Sequence, residues 1–155
     1  KYVFERMLNI ANESKLPAVL HIRDAYKDSL DILKANTSLL NNGFVMHCYG
    51  GSRELVKEYC DLGAYFSLGG VVTFKNAKKD DIIRTIPQDR LLLETDCPYM
   101  TPEPYRGRVN KPAYVVYTAR KIADVLGMEY DRLCEITVEN TLRIFTKIKD
   151  INKAR

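Results

Sequence analysis

Asn41-Asn-Gly-Phe-Val-Met-His47 holds a turn, a short apolar run and, at the end of that run, a side chain able to bind metal. Asn41, Asn42 and Gly43 suit a turn, because Gly tolerates positive φ and Asn bonds its own backbone locally. Phe44, Val45 and Met46 follow with no polar alternation, the pattern of a strand covered on both faces, as in a parallel sheet. The same arrangement recurs along the chain. Pro17 introduces Ala18, Val19 and Leu20 before His21; Gly63 precedes Ala64 to Leu68; and Arg90 leads into Leu91, Leu92 and Leu93 before Glu94-Thr-Asp96.

Helical spacing fills the intervals. Val3, Phe4, Met7, Leu8 and Ala11 share one face of a segment from Tyr2 to Asn12, and Leu30, Ile32 and Leu33 mark Ala25 to Asn36. Ser52 is placed to cap a helix carrying Leu55, Val56 and Tyr59 that Gly63 stops. A weaker helix over Ala77 to Ile86 is broken by Pro87. Further on, Ala113 to Leu126 is amphipathic and ends at Gly127, and two shorter helices are expected over Glu129 to Glu135 and Glu139 to Ile148, before a basic tail expected to fray. Cys97 to Pro112 carries Pro98, Pro102, Pro104 and Pro112 and reads as a functional loop.

Four strands alternating with helices make the chain α/β with parallel strands. An open doubly wound sheet fits within 155 residues and is favoured by periodicity alone; an eight-stranded barrel needs roughly 250, so this length would be about half of one. The 46% hydrophobic composition suffices for one core, and no apolar run approaches the roughly 18 residues of a membrane span. No membrane partner and an intracellular, cytoplasmic protein are expected, nuclear being open if the source is eukaryotic. A net charge of +4 permits a polyanionic partner without requiring one. Cys48, Cys60, Cys97 and Cys134 form no CxxC pair and read as buried free thiols of a reducing compartment.

His21, His47 and Asp96 each follow a separate apolar strand. Parallel strands bring their C-terminal ends to one face, where α/β folds build their sites. Imidazole with carboxylate suits zinc, manganese, nickel or iron, whereas magnesium prefers oxygen donors. Taken singly, each histidine reads equally as a strand-end residue satisfied by backbone, and Asp96 as turn chemistry before Pro98. Glu94, on an alternating strand, shares the side of Asp96 and is either a second ligand or its support.

Pro17-Ala-Val-Leu-His-Ile-Arg-Asp-Ala25, Phe44-Val-Met-His-Cys-Tyr-Gly-Gly51, Ser67-Leu-Gly-Gly-Val-Val-Thr-Phe74, Leu91-Leu-Leu-Glu-Thr-Asp-Cys-Pro-Tyr99 and Val138-Glu-Asn-Thr-Leu-Arg-Ile-Phe145 resemble, in order and spacing, the TatD family of metal-dependent hydrolases. The resemblance implies a TIM (β/α)8 barrel, of which residues 1–155 would be a single partial domain, the C-terminal half, with the N-terminal strands absent. It further implies a deoxyribonuclease that cleaves DNA or nucleotide phosphodiesters using divalent ions, two per complete site. His21 and His47 match the two histidines that bind one metal. Asp96 matches the aspartate at the other metal and is the expected catalytic base. Arg23, Lys75, Arg106 and Arg108 are the candidates for holding phosphate.

The family's N-terminal His-x-His pair and its glutamate near the fourth strand lie outside this sequence, and Lys111 stands where the loop commonly has an acidic residue. The missing half of the barrel, or another copy of the chain, is therefore an expected partner. A hydrolase of C–N or ester bonds and a non-catalytic nucleic-acid-binding or assembly module are the alternatives, since metal hydroxide attacks carbonyl and phosphoryl centres alike.

Overall fold

In a computed structural model of the chain, residues 1–148 are described. Helix α1 (Tyr2–Glu13) leads to strand β1 (Ala18–His21), and α2 (Tyr26–Ala35) to β2 (Phe44–His47). Next come α3 (Glu54–Asp61), β3 (Ala64–Leu68), α4 (Asp80–Thr85) and β4 (Leu91–Leu93), then α5 (Val115–Leu126) and α6 (Tyr130–Ile144). All strands are parallel and lie in sequence order, β1-β2-β3-β4. An open doubly wound sheet reverses direction at a switch point; this sheet does not, and its uniform winding is that of a barrel wall.

Register divides the strand residues between two faces. Ala18, Leu20, Phe44, Met46, Ala64, Phe66, Leu68 and Leu91 belong to the main core, packed with Leu33, Val56, Ile83, Ile122 and Leu133 from the helices. Val45, Tyr65 and Leu92 point the other way and are covered by Ile144, with Phe145 against them. Val19, paired in register with Val45, lies on this second face and is 58% exposed where Val45 is 3%, so the cover stops short of β1.

Helix ends follow local chemistry with two departures from expectation. Gly127 sits at φ 64°, so α5 closes in a left-handed turn with Met128 N–H donating to Ala123 O. The helix starting near Ser52 begins at Glu54 with no side-chain cap. The two short C-terminal helices are one: α6 runs unbroken through Ile136-Thr-Val138. Those β-branched residues disfavour helix, but Ile136 and Thr137 are buried and the Thr137 hydroxyl returns to Leu133 O at 3.0 Å, so packing overrides propensity. Buried Asn140 ties the helix to β4, donating to Gln88 O at 2.7 Å and Leu91 O at 2.9 Å. The expected basic tail after Ile148 falls outside the described residues. Among those described, no helix is long and apolar enough to cross a membrane. Their cysteines are free, but none is fully buried as expected: Cys48, Cys60 and Cys134 are partly buried, and Cys97, in the loop leaving β4, is exposed.

Candidate metal centre

Parallel register places His21 directly opposite His47. Neighbouring strands lie about 4.8 Å apart, so side chains paired in this way stand side by side. The two imidazole centroids are 5.4 Å apart, with planes inclined at 37°. Glu94 extends the ladder beyond β4, its N–H donating to Leu68 O at 3.1 Å. Its carboxylate reaches back over β3, where the intervening inward residue is the small, buried Ser67. A Cβ on Gly69 would stand 3.3 Å from Cys48 Sγ and 3.6 Å from Glu94 Cγ, so glycine leaves this crossing open.

Both Glu94 oxygens are used. Oε2 lies 2.7 Å from His47 Nδ1, and Oε1 accepts the Cys48 N–H at 2.6 Å. A carboxylate accepts hydrogen bonds, so Nδ1 carries a proton toward Glu94, and in a neutral ring Nε2 is then the atom free to ligate. Nε2 lies 3.4 Å from Asp96 Oδ1. Two ligand atoms bonded at about 2.1 Å to one tetrahedral ion are separated by about 3.4 Å, so the pair fits a shared cation. The Glu94–His47–Asp96 row has the form of the carboxylate–histidine–metal arrangement, in which the outer carboxylate fixes the ligand's tautomer and orientation.

His47, Cys48 and Glu94 also form a group of potential ligand atoms lying within 4.8 Å of one another. Burial, and then the hydrogen bond to Glu94, push the Cys48 thiol far above its usual range, leaving a neutral sulfur. With Glu94 engaged through both oxygens, His47 Nε2 and Asp96 are the better donor pair, suited to a divalent ion of the zinc, manganese, nickel or iron kind; His21 stands beside His47, but among the described residues it does not join them in a group of ligand atoms all within 4.8 Å.

Regular strand ends at Leu93, so strand alternation does not account for Glu94 and Asp96 meeting the same histidine. Asp96 has φ 54°, and this left-handed residue turns the side chain toward His47. Asp24 after β1 (φ 55°) and Cys48 after β2 (φ 45°) adopt the same conformation. Such backbone is costly for non-glycine residues, and here it gathers beside the histidines. Buried Asn110 clamps the turn, its amide donating to Thr95 O at 2.7 Å and Tyr99 O at 2.6 Å while Oδ1 accepts the Lys111 N–H. In the sequence Asn110 stands in the segment Arg106-Gly-Arg-Val-Asn-Lys-Pro112, which matches the family's Arg-Gly-x-x-Asn-x-Pro loop, but no local pattern marks it as the clasp.

The cations expected to hold phosphate are spread more widely. Arg23 lies in the exposed bend after β1. Lys75 lines a cavity beside α4. Arg106 lies over Phe74 at 4.3 Å, and Arg108 lies 5.7 Å from the ring of Tyr105, which stacks on Tyr114 at 4.6 Å.

Similarity to known proteins agrees with this geometry. An uncharacterized metal-dependent hydrolase of Bacillus subtilis, YabD, is 45% identical over 146 residues, covering 94% of this chain and 57% of its own length. Its counterpart YcfH of Escherichia coli K12 is 40% identical over 143 residues, covering 92% of this chain and 54% of YcfH. The crystal structure of YJJV, a TatD homologue of Escherichia coli K12, superposes with a TM-score of 0.87 at 26% identity, covering 95% of this chain and 56% of that one. The chain thus spans about half the length of the relatives it matches. With the family described as TatD related DNase matching residues 1–146, the chain belongs to that family.

Proposed function

We propose that the chain contributes part of the centre of a metal-dependent hydrolase that cleaves phosphodiester bonds, with DNA as substrate. The observation that carries this reading is His47 held between two carboxylates, Nε2 at 3.4 Å from Asp96 Oδ1 and Nδ1 at 2.7 Å from Glu94 Oε2. The family's description as DNase supports the phosphodiester assignment. A bound divalent ion would supply Lewis acidity, acidifying the attacking water and neutralising charge that builds on the phosphoryl oxygens.

The chain's own residues then divide the work. His21 and His47 hold the ion, and Glu94 keeps His47 in the ligating tautomer. Asp96 orients the attacking water, and its Oδ2, which His47 does not engage, takes the water's proton. Arg23, Lys75, Arg106 and Arg108 are the cations that would hold the substrate's phosphates. Two ions per complete site and further strands continuing the barrel wall belong to this reading. The docking face for those strands is the exposed side of β1 and α1, where Met7, Ile10, Leu16 and Val19 line an apolar cavity of about 400 Å³.

The test is a substrate panel with manganese, magnesium or zinc present or chelated. Metal-dependent cleavage of DNA, lost in His47→Ala and Asp96→Ala, is expected. Turnover of an amide or lactone with DNA left intact would sink the nuclease assignment.

A further inference from the structure

The loop after β3 builds a second polar cavity. It has a volume of about 480 Å³ and is lined by Thr73 and Phe74, by Lys75, Lys78, Lys79 and Lys121, and by Asp80 and Asp81. The two aspartates are already matched: Asp80 Oδ1 lies 2.9 Å from Lys121 Nζ, and Asp81 Oδ2 lies 3.9 Å from Arg53 Nη1. Among the described residues, Lys75, Lys78 and Lys79 have no carboxylate within ion-pair distance. Lys78 holds its part of the loop in a left-handed turn at φ 47°. Lys79 is partly buried, and among the described residues its Nζ reaches only a backbone carbonyl, Gly50 O, at 3.1 Å. An ammonium has three donors, so this one still has two to offer. Burial lowers its pKa, the mark of a cation short of counter-charge.

The cavity lies on the same edge of the sheet as the metal centre, in the loop that follows β3. Lys79 and Val72 line it and also line a smaller space, of about 220 Å³, whose wall includes Cys48, Gly69 and Met100. Arg106 stands over Phe74 on the cavity's wall. Three lysines without carboxylate partners in one concavity, at the sheet edge that carries His47, favour a multiply charged anion.

We infer that this cavity is a second phosphate subsite, in which Lys75, Lys78 and Lys79 hold the phosphodiester groups flanking the one at the metal centre. The ligand class, a nucleic-acid strand longer than the scissile unit, rests on the phosphodiesterase reading; the anion site itself is read from the three lysines.

The test measures binding of a fluorescein-labelled single-stranded hexadeoxynucleotide to the chain in chelator, across a salt series. Each phosphate contact adds about 0.7 to the slope of log affinity against log salt for single strands. Lys75→Gln/Lys78→Gln/Lys79→Gln is therefore expected to flatten that slope by about 2. Wild type should lose about 20-fold more affinity than the variant between roughly 50 and 200 mM salt. An abasic hexamer of deoxyribose phosphates should show the same slope as the labelled strand. An unchanged slope in the triple variant overturns the inference. So does an equal flattening in Lys15→Gln/Lys27→Gln/Lys57→Gln, which removes exposed lysines outside the cavity, or tighter binding of inorganic tripolyphosphate than of the hexamer. Because chelator removes turnover from the measurement, a chain that flattens as stated but cleaves no phosphodiester would sink the nuclease reading and leave the phosphate cleft standing.

Discussion

Replacing Glu94 by glutamine tests the centre at the residue that organises it. The carboxylate accepts twice, from His47 Nδ1 at 2.7 Å and from the Cys48 N–H at 2.6 Å. Glutamine has one acceptor oxygen and one donor nitrogen, so it cannot serve both. If its oxygen keeps Cys48, its amide faces Nδ1, and His47 must move its proton to Nε2, the atom that faces Asp96. If its oxygen keeps His47, two N–H groups confront each other at Cys48. Removing an outer carboxylate from a ligating histidine costs about 10- to 100-fold in metal affinity, or about 1.4 to 2.7 kcal/mol. Manganese or zinc affinity measured by chelator competition should fall by that much in Glu94→Gln. Circular dichroism in chelator checks that the fold persists. Affinity within about twofold of wild type would refute the orienting role, and a loss as complete as that in His47→Ala would make Glu94 a ligand.

Asn110→Ala removes two carbonyl contacts and the acceptor for Lys111 N–H, and should lower unfolding stability by about 2 to 3 kcal/mol in urea titration. Gly70→Ala would place a Cβ 2.0 Å from Met100 O, a backbone atom that cannot rotate away. Its expected cost of about 1 to 3 kcal/mol should come with faster proteolysis within residues 97–112, and equal nicking rates in both proteins would contradict the close packing. Iodoacetamide at mildly alkaline pH should label exposed Cys97 well before Cys48, whose thiol is kept protonated by burial and the Glu94 carboxylate; mass spectrometry showing equal labelling would contradict that environment.

Strand positions were legible because short apolar runs bounded by Pro17, Gly43, Gly63 and Arg90 leave few alternatives. Whether those strands wind one way or reverse was not legible from periodicity, since a crossover helix looks the same in either case; strand order decides it. The merging of two expected helices into α6 depends on tertiary contacts, the burial of Ile136 and Thr137 and the grip of Asn140 on β4. Local propensity contains none of these.

For the centre, a strand-end position sufficed to nominate His21 and His47, because parallel pairing turns equivalent positions on adjacent strands into neighbours. Glu94 was legible as a second ligand or a support for Asp96, but not as the partner of His47. Its role depends on three features that do not leave a local signature: small Ser67 on the intervening strand, the absent side chain at Gly69, and a left-handed Asp96 that brings a second carboxylate to the same histidine. The cost of that backbone falls on a residue with a suitable side chain, since aspartate tolerates the left-handed region better than most. Glycine at position 96 would relieve the conformation but delete the oxygen opposite His47. The centre thus accepts local strain where a carboxylate must be aimed, and Asn110 anchors the carbonyls on either side of it, at Thr95 and Tyr99.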